Sequence, residues 1–254
     1  MSGDPGKEQP NIFYTKGAPL LNAEALLNEG KVKSLYRMAD EPEKVYIHFH
    51  DKVTAGNGRR VDFPDGKGKT CCLISALLFE MLEGRGIRTH YIDCPNLDTL
   101  LCKKLTIIPV EVIVRNIAAG SIVSQTTISE GTLFNPPIVE YFLKDDVKDD
   151  PLLTLDRVRL MGIDPEPMRE AALKVNNHFQ ILFAQLGIDV VDFKLEFGYD
   201  SHGNLCLGDE LSPDNMRLWK KGTKERFDKD LFRKEEGDIV TAYSYILQEL
   251  RKFV

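Results

Sequence analysis

Apolar residues along this chain recur with two periods, and the switches between them sketch the elements. Leu73, Leu77, Leu78, Met81 and Leu82 fall at helical spacing, which predicts a helix over residues 70–83, stopped by Gly84 and Gly86. Met168, Ala172, Val175, Phe179, Leu182 and Leu186 form one stripe of a longer helix, with Asp164 as its cap, Pro165 at its first position and Gly187 at its end. Ile239, Tyr243, Ile246 and Leu250 mark a final helix over residues 238–253. Near the start, Asn22 is expected to cap a short helix that ends at Gly30. Shorter apolar runs predict strands at 31–38, 44–50, 87–92, 101–108, 110–114 and 136–143, with Pro109 breaking the fourth from the fifth. A hairpin is expected over 190–211, turning at His202-Gly203.

Strands and helices do not alternate strictly, which favours an α+β fold with mainly antiparallel sheets over a doubly wound one. Residues 1–20 read as an N-terminal arm, 21–108 as an N-terminal lobe and 109–254 as a C-terminal lobe, hinged near Pro109. Within the N-terminal lobe, residues 51–69 form a glycine-rich loop, and a long loop of this kind is often functional.

Composition narrows the function classes. A chain of 254 residues with 43% hydrophobic content has enough apolar material for a sizeable core. Its net charge of -6 argues against a protein that coats nucleic acid, which needs a basic face. Five cysteines without a C-x-x-C pair suggest neither a disulfide framework nor a zinc cluster, and read as reduced thiols of a cytoplasmic protein. Residues 1–10 lack the apolar core of a signal peptide, and no apolar run approaches the ~20 residues that span a bilayer.

The densest chemistry lies in Asp192-Phe193-Lys194-Leu195-Glu196-Phe197-Gly198. On a strand, Asp192, Lys194 and Glu196 share one face and the apolar residues share the other. With the turn at His202-Gly203, Glu196 falls opposite Asp209. Like charges in that position destabilise a hairpin unless a cation lies between them, and magnesium suits two carboxylates that leave room for water and phosphate. A solvated sheet face is the other reading of the same strand. Arg115, at the end of an apolar strand, precedes the small residues Ala118-Ala119-Gly120 and Ser121 at a helix start; this describes a phosphate site or a strand-end salt bridge with a helix cap. Gly30 beside Lys31 and Lys33 is placed to cover a polyphosphate, although the chain has no Walker A pattern. The five histidines show no metal-ligand spacing.

Taken in order, these segments resemble the phosphoribosylaminoimidazole-succinocarboxamide synthase (SAICAR synthetase) family over residues 28–252. The family's G-K-x-K-x-x-Y is similar to residues 30–36, its V-E-x-x-V-R-N-x-A-A-G-S to 110–121, and its D-F-K-L-E-F-G is unchanged at 192–198. Its G-D-E-x-S-P-D-x-x-R-L-W is similar to 208–219, and its D-K-D-x-x-R to 228–233. The resemblance implies a two-lobed enzyme holding ATP between the lobes, with Lys31, Lys33 and Lys144 by the ATP phosphates and magnesium on Glu196 and Asp209. It implies that Arg115, Ser121 and Arg217 grip the ribotide phosphate, that Lys194 and Asp214 contact the ribotide, and that Asp51 and Asn57 line the ribotide and aspartate side. Asn57 stands where the family often has Asp. The substrates would be carboxyaminoimidazole ribotide and L-aspartate, the assembly a homodimer, and the candidates for a general base Asp192 and Asp214. Two rivals are a small-metabolite kinase, which would need no aspartate, and a non-enzymatic nucleotide-binding module, which would release no ADP.

Overall fold

A computed structural model describes residues 23–56 and 58–253. The expected arm, the Asn22 cap and Asn57 lie outside them. The chain opens with β1 (Ala23–Glu29), β2 (Lys33–Met38) and β3 (Lys44–Phe49), then a small hairpin of β4 (Val53–Ala55) and β5 (Arg60–Asp62). Helix α1 (Lys67–Glu83) leads to β6 (Tyr91–Asn96) and β7 (Thr99–Lys103). After these come β8 (Thr106–Ile117), α2 (Ser121–Gln125), β9 (Leu133–Leu143), β10 (Leu152–Leu153), α3 (Leu155–Leu160) and α4 (Glu166–Gln185). The last elements are β11 (Ile188–Tyr199), β12 (Leu205–Gly208), β13 (Met216–Lys220), α5 (Asp230–Lys234) and α6 (Ile239–Leu250).

Two antiparallel sheets carry the architecture, in agreement with the expected α+β class. The first has the order β1-β2-β3-β7-β6; the second has β10-β9-β8-β11-β12, with β13 pairing the first half of β11. Helix α1 covers the first sheet, α4 covers the second, and α6 crosses back onto α1. Residues 88–90 join the sheets: His90 N–H donates to Leu207 O at 2.8 Å and Leu207 N–H to Arg88 O at 3.0 Å. One apolar cluster runs through both layers, from Phe49, Ile74 and Phe79 to Phe179, Phe193 and Tyr243. All five cysteines are free thiols, four of them buried.

Three local expectations need correction. Residues 23–29 form the edge strand β1, not a helix. Ala, Glu and Leu favour helix, but pairing with the otherwise open edge of β2 outweighs that preference. The break between the two middle strands falls at residues 104–105, and β8 continues through Pro109. Proline is tolerated there because the β8–β11 register shifts between Glu196↔Glu111 and Gly198↔Ile107, a bulge that asks for no N–H from residue 109. The hairpin turns one residue differently from expectation. Asp200 N–H donates to Asn204 O at 3.0 Å, closing a three-residue loop in which Gly203 has φ 76°. Glu196 therefore pairs with Gly208, and Asp209 is the next residue, turned out of the strand with φ 61°.

Helix α1 starts three residues ahead of its expected beginning, at Lys67. The side chain of Asp51 accepts the Gly68 N–H at 2.9 Å, satisfying one of the first-turn donors. Gly68 itself is pressed against β3: a Cβ there would lie 2.6 Å from Phe49 O and 2.7 Å from His50 C.

Candidate active site

The turn between β1 and β2 lies over the ends of β8 and β11, and a cleft of about 590 Å³ opens between them. The strand alternation of β11 aims Asp192, Lys194 and Glu196 into it, with Phe193, Leu195 and Phe197 in the core behind. Strand β8 lies beside β11 and adds Glu111, Ile113 and Arg115 at the same two-residue period. These two strands fix the floor of the site.

At one end of the cleft, lysines and carboxylates interleave. Lys33 Nζ bridges Asp209 at 2.5 Å and Glu210 at 2.8 Å. Lys144 and Lys194 both reach Glu196 at 2.7 Å, and Lys194 also reaches Glu111 at 2.7 Å. Glu196 does face an acid across the sheet, but the acid is Glu111 on β8 rather than Asp209 on the hairpin. At Asp209, Lys33 and Lys194 burial works against the charge and the ion pairs outweigh it, whereas at Glu111 burial wins and raises the carboxyl. Burial raises the Asp209 carboxyl, yet Lys33, Lys194 and Lys144 hold it well below the usual carboxylate range. Burial lowers the Lys33 and Lys194 ammoniums, yet Asp209 and Glu210, and Glu196, Asp209 and Glu111 respectively, keep both well above the ordinary lysine range.

At the other end stands an arginine pair. Arg115, 1% exposed, donates to Asp192 Oδ2 at 2.8 Å, to Ser121 Oγ at 2.7 Å and to Glu140 at 2.5 Å. Arg217 donates to both oxygens of Asp192, at 3.1 and 3.0 Å, and to Asp230 at 2.9 Å. Gly120, with φ 64°, lets the backbone close onto this pair; a Cβ there would meet the Arg217 guanidinium at 2.5 Å. Two guanidiniums and a hydroxyl at the start of α2 can receive a phosphate group. Asp192 is 3% exposed, and burial raises its carboxyl above the usual range despite Arg217 and Arg115.

Between the ends, Asp214 lies in the wall. Its oxygens are taken by Lys67 from α1 and by Tyr243 from α6, whose hydroxyl donates at 2.8 Å. Burial opposes its ionisation, but Lys67 and Lys229 hold it well below the ordinary carboxylate range. Lys229 and Arg233 complete this side.

Lys31, Lys33, Lys144, Arg115, Ser121, Arg217, Asp192, Lys194, Asp214, Glu196 and Asp209 thus all line one cleft. Asp51 does not line it; its carboxylate anchors α1 instead. Sequence reasoning did not single out Glu111, Glu210, Lys229, Arg233 or Lys67. Glu111 carried a usable signal, since it shares the strand period of Arg115. Lys229 and Arg233 stand four apart in the matched 228–233 motif, whereas nothing in sequence marks Lys67, whose role is set by tertiary contact. The carboxylates at the lysine end offer only hard oxygen donors, a set that fits magnesium rather than a softer metal.

Comparison with known proteins agrees with this geometry. A family model described as SAICAR synthetase matches residues 26–250. The phosphoribosylaminoimidazole-succinocarboxamide synthase of Synechocystis sp. is 46% identical over 228 residues, covering 87% of this chain and 86% of that protein. The one from Methanocaldococcus jannaschii is 45% identical over 228 residues, covering 88% and 93%. Among solved structures, a Type-2 SAICAR synthetase in complex with ADP superposes with a TM-score of 0.85 at 38% identity, covering 88% of this chain and 96% of that one. The Ehrlichia chaffeensis phosphoribosylaminoimidazole-succinocarboxamide synthase gives 0.86 at 37%, covering 89% and 98%. With its motifs, its two antiparallel sheets and its relatives in agreement along nearly its whole length, the chain belongs to the SAICAR synthetase family.

Proposed function

We propose that this protein joins L-aspartate to the carboxylate of carboxyaminoimidazole ribotide with ATP, giving SAICAR, ADP and phosphate in purine biosynthesis. The observation that carries the reading is the two-ended cleft. An arginine pair suited to a phosphate monoester and a lysine–carboxylate array suited to a polyphosphate open into one space of about 590 Å³. Family membership and the ADP complex of a relative support nucleotide binding.

A carboxylate and an amine form a salt in water, so one carboxylate oxygen must become a leaving group. Transfer of the ATP γ-phosphoryl group to that oxygen gives an acyl phosphate and ADP. The aspartate amine, after losing a proton, then attacks the acyl carbon and expels phosphate. Such transfer depends on positioning and charge neutralisation more than on covalent help. Lys31, Lys33 and Lys144 bind the ATP phosphates, and Arg115, Ser121 and Arg217 bind the ribotide phosphate. Lys194, Asp192 and Asp214 lie between and orient the imidazole carboxylate and its neighbours, while Asp51 and Asn57 belong to the loop on the ribotide and aspartate side. Glu196 and Asp209 would hold magnesium, which when bound neutralises polyphosphate charge. The depressed pKa of Asp214 suits a fixed anionic acceptor better than a proton-accepting base. In this reading residues 21–108 cover the ATP phosphates and residues 109–254 hold ribotide, aspartate and metal.

A cytoplasmic location and a homodimeric assembly belong to the same proposal. Free thiols accord with a reducing compartment, the net charge of -6 argues against a protein that coats nucleic acid, and among the described residues no helix is long and apolar enough to cross a membrane. Gel filtration with light scattering tests the dimer. The test of function is ADP release with magnesium-ATP and carboxyaminoimidazole ribotide, with and without L-aspartate. Release that requires all three, with appearance of SAICAR, is expected. Release without aspartate would indicate a kinase, and its absence in every combination would remove the substrate assignment.

A further inference from the structure

Lys67 is 1% exposed, and a lysine so deep in a protein needs a reason. Its Nζ reaches Asp214 Oδ2, while the hydroxyl of Tyr243, itself fully buried, donates to Asp214 Oδ1 at 2.8 Å. Neither α1 nor α6 places a side chain in the cleft, whereas Asp214 lines it. The Asp214 backbone continues the network. Its N–H donates to Ser212 Oγ at 3.2 Å, the Ser212 hydroxyl donates to Glu210 Oε2 at 2.6 Å, and Glu210 Oε1 pairs with Lys33 at 2.8 Å. A continuous polar chain therefore joins the lysine end of the cleft to Asp214. A separate observation fixes where Lys67 can be. Gly68 has no room for a Cβ against Phe49 O and His50 C, and the Asp51 carboxylate holds the Gly68 N–H at 2.9 Å. The first turn of α1 is thereby pinned to the end of β3, and Lys67 with it.

We infer that Lys67 is a positioning residue, which together with Tyr243 clamps Asp214 in the cleft wall as a fixed acceptor for the substrates. The inference deepens the proposed function and rests on it for what Asp214 faces. Asp51, expected on the substrate side, acts here one step removed, through the turn that carries Lys67. The groups facing Asp214 are Lys67 and the Cys71 thiol from α1, Tyr243 from α6, Lys229 ahead of α5, and Glu210 from its own loop. The lysines and the hydrogen bond from Tyr243 favour ionisation, and burial opposes it. With Lys67 gone, only Lys229 and Tyr243 oppose burial, and the Asp214 carboxyl rises from its depressed value.

The test uses the full chain and four variants: Lys67→Met, Lys67→Arg, Tyr243→Phe and Asp214→Asn. Lys67→Met is expected to lower kcat on the order of 10²-fold with KM for ATP unchanged, because a misplaced group at the reacting end costs rate rather than nucleotide affinity. It should also give the pH–rate profile an acid limb that the parent lacks, and Lys67→Arg should remove most of that limb. Introduced on Asp214→Asn, Lys67→Met should add little further loss and no limb. Independent losses in that pair, or a profile unchanged in shape, would overturn the inference. Should Lys67→Met fail to fold, Tyr243→Phe tests the same clamp by removing one hydrogen bond, with a several-fold loss of kcat expected and parental kcat counting against it. Carbon-13 NMR of the Asp214 carboxyl separates this inference from the reaction assigned. In the parent it should stay ionised through the ordinary carboxylate range of about 3.5–5, whether or not aspartate-dependent ADP release is found. Titration within that range in the parent would refute the clamp alone.

Discussion

Replacing Asp192 by Asn is the sharpest probe of the arginine end. The carboxylate is 3% exposed and takes three hydrogen bonds from two guanidiniums, one from Arg115 at 2.8 Å and two from Arg217 at 3.1 and 3.0 Å. An amide of the same shape keeps one acceptor, loses the charge and turns an N–H toward a guanidinium. Removing one member of a buried ion pair typically destabilises by 3–5 kcal/mol. Both arginines keep other partners: Arg115 has Glu140 and Ser121, and Arg217 has Asp230. The expected loss is therefore at the lower end, about 3 kcal/mol, which in a chain of this size lowers Tm by roughly 6–12 °C. The assay is thermal unfolding with and without millimolar inorganic phosphate. If Arg115 and Arg217 form a phosphate site, the anion replaces the missing charge, and phosphate should raise Tm more in Asp192→Asn than in the parent. A variant that melts within about 2 °C of the parent, or an equal response to phosphate in both, would refute this account of the arginine end.

Other outcomes follow from the same geometry. Glu196→Gln and Asp209→Asn should each lower kcat on the order of 10²-fold, and near-parental turnover at saturating magnesium would remove them as metal ligands. Chelation by EDTA should abolish ADP release, and excess magnesium should restore it; persistence in EDTA would count against a metal requirement. The Asp209 carboxyl is depressed by Lys33, Lys194 and Lys144, so its contribution to stability is present above its unfolded pKa of about 3.9 and lost as pH falls below that value. Urea midpoints between pH 3 and 6 should show this drop and should show a smaller one in Lys33→Met. Gly68→Ala, which in an ordinary helix would stabilise, should instead destabilise by about 1–3 kcal/mol through contact with Phe49 O and His50; a raised Tm would show that the first turn of α1 has slack.

How much of this was legible in the sequence depended on the range of the interaction. Helices α1, α4 and α6 were legible because their apolar stripes repeat within one element, and the shared face of Asp192, Lys194 and Glu196 because strand alternation is local. The hairpin register was not. It hangs on whether the loop holds two residues or three, and the deciding hydrogen bonds are those that Asp200 Oδ1 accepts from the N–H groups of His202 and Asn204, which no periodicity reports. Residues 23–29 failed for a similar reason: their composition describes a helix, and only the waiting edge of β2 makes them a strand. The site residues came mainly from family motifs, which explains why Lys67 escaped. Its partner Asp214 lies 147 positions away, Tyr243, which shares that carboxylate, lies farther along still, and no local pattern relates them.

The charges in the cleft suggest how so polar a site is held together. Eight basic and seven acidic side chains line it, and nearly every basic group whose contacts are described here touches a carboxylate. Buried charges of one sign would repel and raise the energy of the fold, whereas interleaved ones neutralise each other at the expense of desolvation. Ligand binding then becomes an exchange of partners. In the proposed function, phosphate oxygens would take Lys33 and Lys144 from Asp209, Glu210 and Glu196, and a divalent cation would take the carboxylates so released. Either exchange alone would strip one set of buried charges of its partners. Nucleotide and metal are therefore expected to bind together, each completing the site for the other, which would couple the metal to the polyphosphate.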